Sequence, residues 1–266
     1  VIKELLRNGE EVDAGDKNGQ NSLYMTASFG DLGAVQALLD AGADMALLDD
    51  MTGFTPLHAA VKGGHDDVVS VLLKKGTKME DKDDIGATPL RLAIAFGHSS
   101  IVVDVLVRAG ADIESCDSEN YTALHQAAIR GDNDMVLACM NQGANIEALA
   151  GGRTALCLAA VCRRTITVKL LLDAGANINH SRGEDSGLTA LAHAAGNGDT
   201  VTLRLLLERG ASVGVLSVEG YSPLHCVCGM RPAGAEDAVD FLLRAGADET
   251  LQSSNGNTAE EILYSD

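Results

Sequence analysis

The sequence predicts an all-α repeat array, and three observations carry that prediction. A turn glycine recurs at a near-constant period. It stands at Gly19, Gly53, Gly86, Gly152, Gly187, Gly220 and Gly256, with Asn120 in the one gap, at spacings of 34, 33, 34, 32, 35, 33 and 36 residues. After Gly, Asn best tolerates the left-handed backbone region, so Asn120 keeps the series. The turn is followed by a short motif: Thr55-Pro56-Leu57-His58, Thr88-Pro89-Leu90-Arg91, Thr122-Ala123-Leu124-His125, Thr154-Ala155-Leu156-Cys157, Thr189-Ala190-Leu191-Ala192 and Ser222-Pro223-Leu224-His225. Finally, 46% of the 266 residues are hydrophobic while aromatics make up only 3%, so the core must be built from Ala, Leu and Val. A repeat of ~33 residues cannot bury its apolar stripe alone, so stacked neighbours must supply the core.

Each element follows from local rules. Residues 1–15 match only the second helix of a repeat, with Leu5-Leu6 and Gly9 in place. Seven full repeats are expected at 16–49, 50–82, 83–116, 117–148, 149–183, 184–216 and 217–252. The motif Thr or Ser caps the first helix, and Pro56, Pro89 and Pro223 suit its first position. Ala60, Ala93, Ala127, Ala159 and Ala194 are small at one equivalent position, which lets neighbouring helices approach. The second helix carries Leu38-Leu39, Leu72-Leu73, Leu171-Leu172, Leu206-Leu207 or Leu242-Leu243. Gly42, Gly76, Gly110, Gly143, Gly175, Gly210 and Gly246 then close the repeats as left-handed caps. Residues 253–266 match only the start of a further repeat. There Glu260 replaces the core leucine, which reads as a polar end cap. Residues 1–266 are expected to form one array. It begins within a helical pattern, so it is expected to continue upstream of residue 1 and to end near residue 266.

The motif T-P-L-H-x-A at a period near 33 resembles the ankyrin repeat, over essentially the whole chain. The resemblance implies an ankyrin-repeat solenoid of paired antiparallel helices with finger-like hairpin loops. It implies a non-enzymatic protein–protein interaction module whose partners dock on the finger tips and the inner face of the first helices. It also implies that a finger asparagine, here Asn179, is a candidate for hydroxylation.

Composition excludes several functions. With 20 Lys/Arg against 38 Asp/Glu, a net charge of −18, the chain should repel nucleic-acid phosphates. No apolar run approaches the ~18 to 20 residues that span a bilayer, so membrane insertion is not expected. The six cysteines include no Cys-x-x-Cys pair and read as reduced thiols of a cytoplasmic or nuclear protein. His58, His125 and His225 belong to the motif, and His65 and His98 follow the glycine between helices, where Asp31, Asp132 and Asp199 stand elsewhere. His225, Cys226 and Cys228 are close in sequence, but residues two apart on a helix point to different faces. No phosphate loop or hydrolase signature occurs, so neither metal, cofactor nor catalysis is expected.

The positions that vary between repeats suggest where a partner docks. Phe54, Tyr121 and Tyr221 follow the turn residue, and Phe29 and Phe96 end a first helix. Aromatics are enriched at interface hot spots, so Phe54 and Tyr121 are expected as anchors. Asp49, Asp50, Asp81, Asp83, Asp84, Glu114, Asp117 and Glu119 recur beside them, and residues 1–150 hold 11 Lys/Arg against 24 Asp/Glu, a charge of −13. A basic, partly apolar partner segment fits that edge. The alternative is a regulatory or scaffolding region of a larger multidomain enzyme or channel. Two departures stand out. Arg163 replaces a glycine and is followed by Arg164, a pair suited to a partner carboxylate. Three extra residues enter around Gly229-Met230-Arg231-Pro232.

Overall fold

The computed structural model describes residues 11–97, 100–181 and 187–264. Leu5, Leu6, Gly9 and His98 lie outside the described residues. The chain forms two compact units, residues 1–117 and 118–266. The first contains α1 (Ser22–Phe29), α2 (Leu32–Asp40), α3 (Pro56–Gly63), α4 (Asp66–Lys74), α5 (Pro89–Phe96) and α6 (Ser100–Arg108). The second contains α7 (Ala123–Arg130), α8 (Asn133–Asn141), α9 (Ala155–Val161), α10 (Thr165–Asp173), α11 (Ala190–Gly196), α12 (Thr200–Glu208), α13 (Pro223–Met230), α14 (Ala235–Arg244) and α15 (Ala259–Tyr264). Among the described residues, extended structure amounts to isolated bridges such as Gly15 with Asn21 and Gln252 with Thr258.

Packing follows the repeat. In the first unit α1, α3 and α5 stack in one layer and α2, α4 and α6 in another. In the second, α7, α9, α11, α13 and α15 form one layer and α8, α10, α12 and α14 the other. The motif leucines are buried throughout: Leu57, Leu90, Leu124, Leu156, Leu191 and Leu224. So are Ala60, Ala93, Ala127, Ala159 and Ala194, whose missing bulk lets the first helices close up. The second helices bury an i, i+3 pair: Val69 and Leu72, Val103 and Leu106, Val168 and Leu171.

The helix ends form as the side chains dictate. The Thr55, Thr88, Thr154, Thr189 and Ser222 hydroxyls each accept an N–H of the first turn of their helix. First helices end on a left-handed residue, Gly30, Gly64, Gly97 or Gly131, while Arg163 and Arg231 take the same conformation at φ 58° and 46°. The extra residues of the last full repeat, Pro232 to Gly234, form the link between α13 and α14. Glu260 is exposed on α15, in keeping with a polar end.

Candidate functional site

The motif histidines are bolts between repeats. His58 Nδ1 accepts the Thr55 N–H at 3.2 Å, which leaves the proton on Nε2 to donate to the Ala87 carbonyl at 3.3 Å. His125 repeats this with Thr122 N–H at 3.1 Å and Ala148 O at 3.0 Å, and His225 with Ser222 N–H and Asn257 O, each at 3.2 Å. Burial lowers the pKa of His58, which suits this neutral role. Each bolt carries a ring from its own repeat. Phe54 stacks on His58 at 5.5 Å, Tyr121 meets His125 edge-on at 6.1 Å, and Tyr221 lies tilted over His225 at 6.0 Å.

That pairing corrects one expected anchor. Phe54 is only 6% exposed, because its ring lies between His58 and Lys62. It belongs to the core and offers a partner almost no surface. Tyr121 and Tyr221 are half-buried. The sequence does contain the signal: an aromatic follows the turn residue wherever His stands four residues later, and Ala87, Arg153 and Leu188 precede Arg91, Cys157 and Ala192 instead.

The acidic edge also divides. Asp83 is buried, its carboxylate accepting the N–H of Ile85 at 3.0 Å and of Ala87 at 2.7 Å. Asp49 does the same for Phe54 N–H at 2.8 Å. Both carboxylates build their finger turns, so the expected docking role of Asp83 is corrected to a structural one. The next residue in each turn faces out. Asp50 and Asp84 are exposed, and their N–H groups donate to Asn18 O at 2.9 Å and Thr52 O at 3.1 Å of the preceding finger. The Asp84 carboxylate lies over Gly53 so closely that a Cβ there would come within 2.5 Å. Asp81 is half-buried. In the second unit Glu119 is exposed.

Aliphatic side chains are what the sequence reading missed. Met51 is 69% exposed and Ile85 is 85% exposed, each directly beside an outward aspartate. At the ends of the first helices, Phe29 is 73% exposed and Phe96 is half exposed, and Lys62 Nζ sits 5.7 Å from the Phe96 ring.

Arg163 and Arg164 are exposed, yet both are anchored. Arg163 donates to the Asn197 carbonyl of the next repeat, and Arg164 Nε to Ile129 O of the preceding one at 3.0 Å. Asn179 belongs to a finger-to-finger ladder: its Oδ1 accepts Ser212 N–H at 2.8 Å, as Glu147 accepts Asn177 N–H at 2.7 Å. His193 has no hydrogen-bond partner at Nε2, and burial, with the Arg153 charge adding, pushes its pKa down to about 4. Burial pushes the Cys226 thiol up to about 12, which makes it a poor nucleophile. Among the described residues no His, Cys, Asp and Glu side chains converge as a metal site would require. No described helix is long and apolar enough to cross a membrane.

The family model "Ankyrin repeats (3 copies)" matches residues 1–83, 27–115, 90–182 and 179–253. A stretch of 62 residues, 23% of the chain, is 53% identical to part of the Neurogenic locus Notch protein of Drosophila melanogaster and covers 2% of it. Another of 70 residues, 26% of the chain, is 37% identical to part of the human transient receptor potential cation channel subfamily A member 1 and covers 6% of it. The chain thus spans a small share of the curated relatives it matches. The crystal structure of the ankyrin repeat domain of Bcl-3, a member of the IkappaB family, superposes with a TM-score of 0.69 at 32% identity, covering 80% of this chain and 95% of that one. The human ASB11 ankyrin repeat domain gives 0.69 at 26% identity, covering 86% and 99%.

Proposed function

The chain belongs to the ankyrin-repeat family, and from that premise we propose that it binds a basic, partly apolar segment of another protein, without turnover, along the finger edge of residues 11–97. Protein–protein interaction is the business of such repeats, and the sign of the partner is read from the surface. One observation carries the reading: successive fingers place an exposed aliphatic side chain, Met51 or Ile85, beside an outward carboxylate, Asp50 or Asp84. Lys or Arg side chains meet the carboxylates while their apolar neighbours cover Met51 and Ile85. The 1–117 unit holds 10 Lys/Arg against 20 Asp/Glu, which steers a cation toward it from a distance. Phe29 and Phe96 extend the apolar surface to the first-helix ends.

Fluorescence anisotropy with a labelled peptide of alternating Lys and Leu, and its Glu/Leu counterpart, tests this. Asp50→Lys/Asp84→Lys should weaken the Lys/Leu peptide about 10-fold at low salt and flatten its salt dependence. Met51→Ala/Ile85→Ala should raise the dissociation rate instead. Affinity unchanged in both variants would place the site elsewhere. A second reading, a regulatory or scaffolding region of a longer protein, draws on the two curated matches, each a short stretch of a much larger chain. The mass of the native protein on an immunoblot decides it.

A further inference from the structure

A surface of the opposite polarity lies on the second helices of the 118–266 unit. Helix α12 turns Val201, Arg204, Leu205 and Glu208 to one side, at the i, i+3, i+4, i+7 spacing of a single helix face. With Thr165, Ile166 and Lys169 of α10 they line a cavity of about 340 Å³. A cavity of about 350 Å³ adjoins it, sharing Thr165 and Ile166 and walled by Arg163 and Arg164. Ile166 is 65% exposed and Val201 is 64% exposed, so two β-branched side chains face solvent beside four cations.

The polarity is local. The 118–266 unit holds 10 Lys/Arg against 18 Asp/Glu. At the positions equivalent to Ile166 and Val201, the flanking helices α8 and α14 carry Asp134 and Asp237. The face is also rigid. Thr165 and Thr202 hydroxyls are 2.7 Å apart and join α10 to α12, and Thr167 donates to Asn133 Oδ1 at 2.8 Å, joining α10 to α8. The Arg163 and Arg164 bonds to Asn197 and Ile129 hold those stems in place. Arg204 rests over the Phe241 ring at 5.1 Å. Lys169 is exposed, and among the described residues no carboxylate pairs with it.

We propose that this face docks an acidic, aliphatic-bearing segment of a partner protein. An aliphatic side chain enters the α10–α12 cavity against Ile166, Val201 and Leu205. Carboxylates meet Lys169 and Arg204, and Arg163 and Arg164 prolong the cationic run. Charge complementarity selects this occupant: a basic segment is repelled by the four cations, and a bare anion leaves the apolar wall uncovered. The occupant has the opposite sign to the one proposed for the finger edge, so the two readings succeed or fail separately.

Anisotropy titrations of the full 266-residue chain with a labelled Glu/Leu peptide test the proposal. The peptide should bind, and Lys169→Glu/Arg204→Glu or Val201→Asp should weaken it about 10-fold or more, while Lys74→Glu, the reversal of an exposed cation in the first unit, leaves it unchanged. Circular dichroism of each variant shows that exposed-surface changes have left the fold intact. No binding of the Glu/Leu peptide, or equal binding to the double variant, overturns the proposal. Sedimentation that shows a dimer of the chain, dissolved by Lys169→Glu/Arg204→Glu, would make a second copy the occupant and also overturn it.

Discussion

The ring after the turn residue and the histidine four positions on act as one structural piece, and this decides what their substitution does. Phe54→Ala removes a buried ring from between His58 and Lys62. It should cost about 3 kcal/mol of stability, the usual range for a large core truncation, and leave the exposed finger edge intact. Urea denaturation measures the cost; unchanged stability would mean that the ring is free. His193 makes a pH prediction. Its folded-state pKa is lowered from 6.5 to about 4, so the unfolded chain takes up the proton first as pH falls. Stability associated with the neutral ring is present above about pH 6.5 and is lost progressively down to about pH 4, a loss of about 3 kcal/mol. His193→Gln should flatten the stability profile across that window. A profile of equal slope in both proteins would remove His193 as a cause.

At the scale of the element, the end of a first helix is the sensitive point. A left-handed residue stops the helix there, and glycine takes the conformation without strain at Gly30, Gly64, Gly97 and Gly131. Arg163 and Arg231 accept the strain and reach the next repeat. Arg163 donates to the Asn197 carbonyl, and Arg231 to the Leu263 carbonyl at 2.6 Å. One position on, His65 and Arg164 reach backward, to Ser28 O and Ile129 O, both at 3.0 Å. Asp31, Asp132 and Asp199, at the same position, cap their own second helices instead. A β-branched residue has neither option. Arg163→Val should therefore destabilise the protein by about 1 to 2 kcal/mol, and Arg163→Gly by clearly less. Thermal denaturation of the pair checks the order; equal losses would assign the effect to the guanidinium alone.

At the scale of the whole molecule, the same packing recurs in both units: within each, first helices stack on first helices and second on second, and the two helices of a repeat pack together. Stability then grows as a sum of neighbour interfaces. Residues 118–266, a compact unit with nine described helices, should fold alone and unfold cooperatively in urea. Residues 149–183 alone should give a coil-like circular dichroism spectrum, because Leu156, Ala159 and Leu171 lose the surfaces that bury them. A helical, cooperative transition in that short peptide would contradict the stacking account. Charge acts at this scale too. Both units are net negative, so partner association should slow with added salt at the finger edge.

The sequence by itself determined the repeat period, the starts of the first helices and the family. Those features rest on local rules: glycine or asparagine at positive φ, a hydroxyl at the helix start, and leucine and alanine at helical spacing. Arg163 and the three-residue insertion were legible for the same reason, as breaks in a strict pattern. Only the tertiary structure decided which finger residues are buried and which are exposed. Within a finger turn the side chains follow no period, and one step along the chain separates buried Asp83 from exposed Asp84. Phe54 turned inward and Ile85 outward because the motif histidine offers a ring a buried surface, whereas the finger tip gives Ile85 little to pack against. The apolar, cationic face of α10 and α12 likewise exists only once stacking brings residues from two repeats onto one cavity.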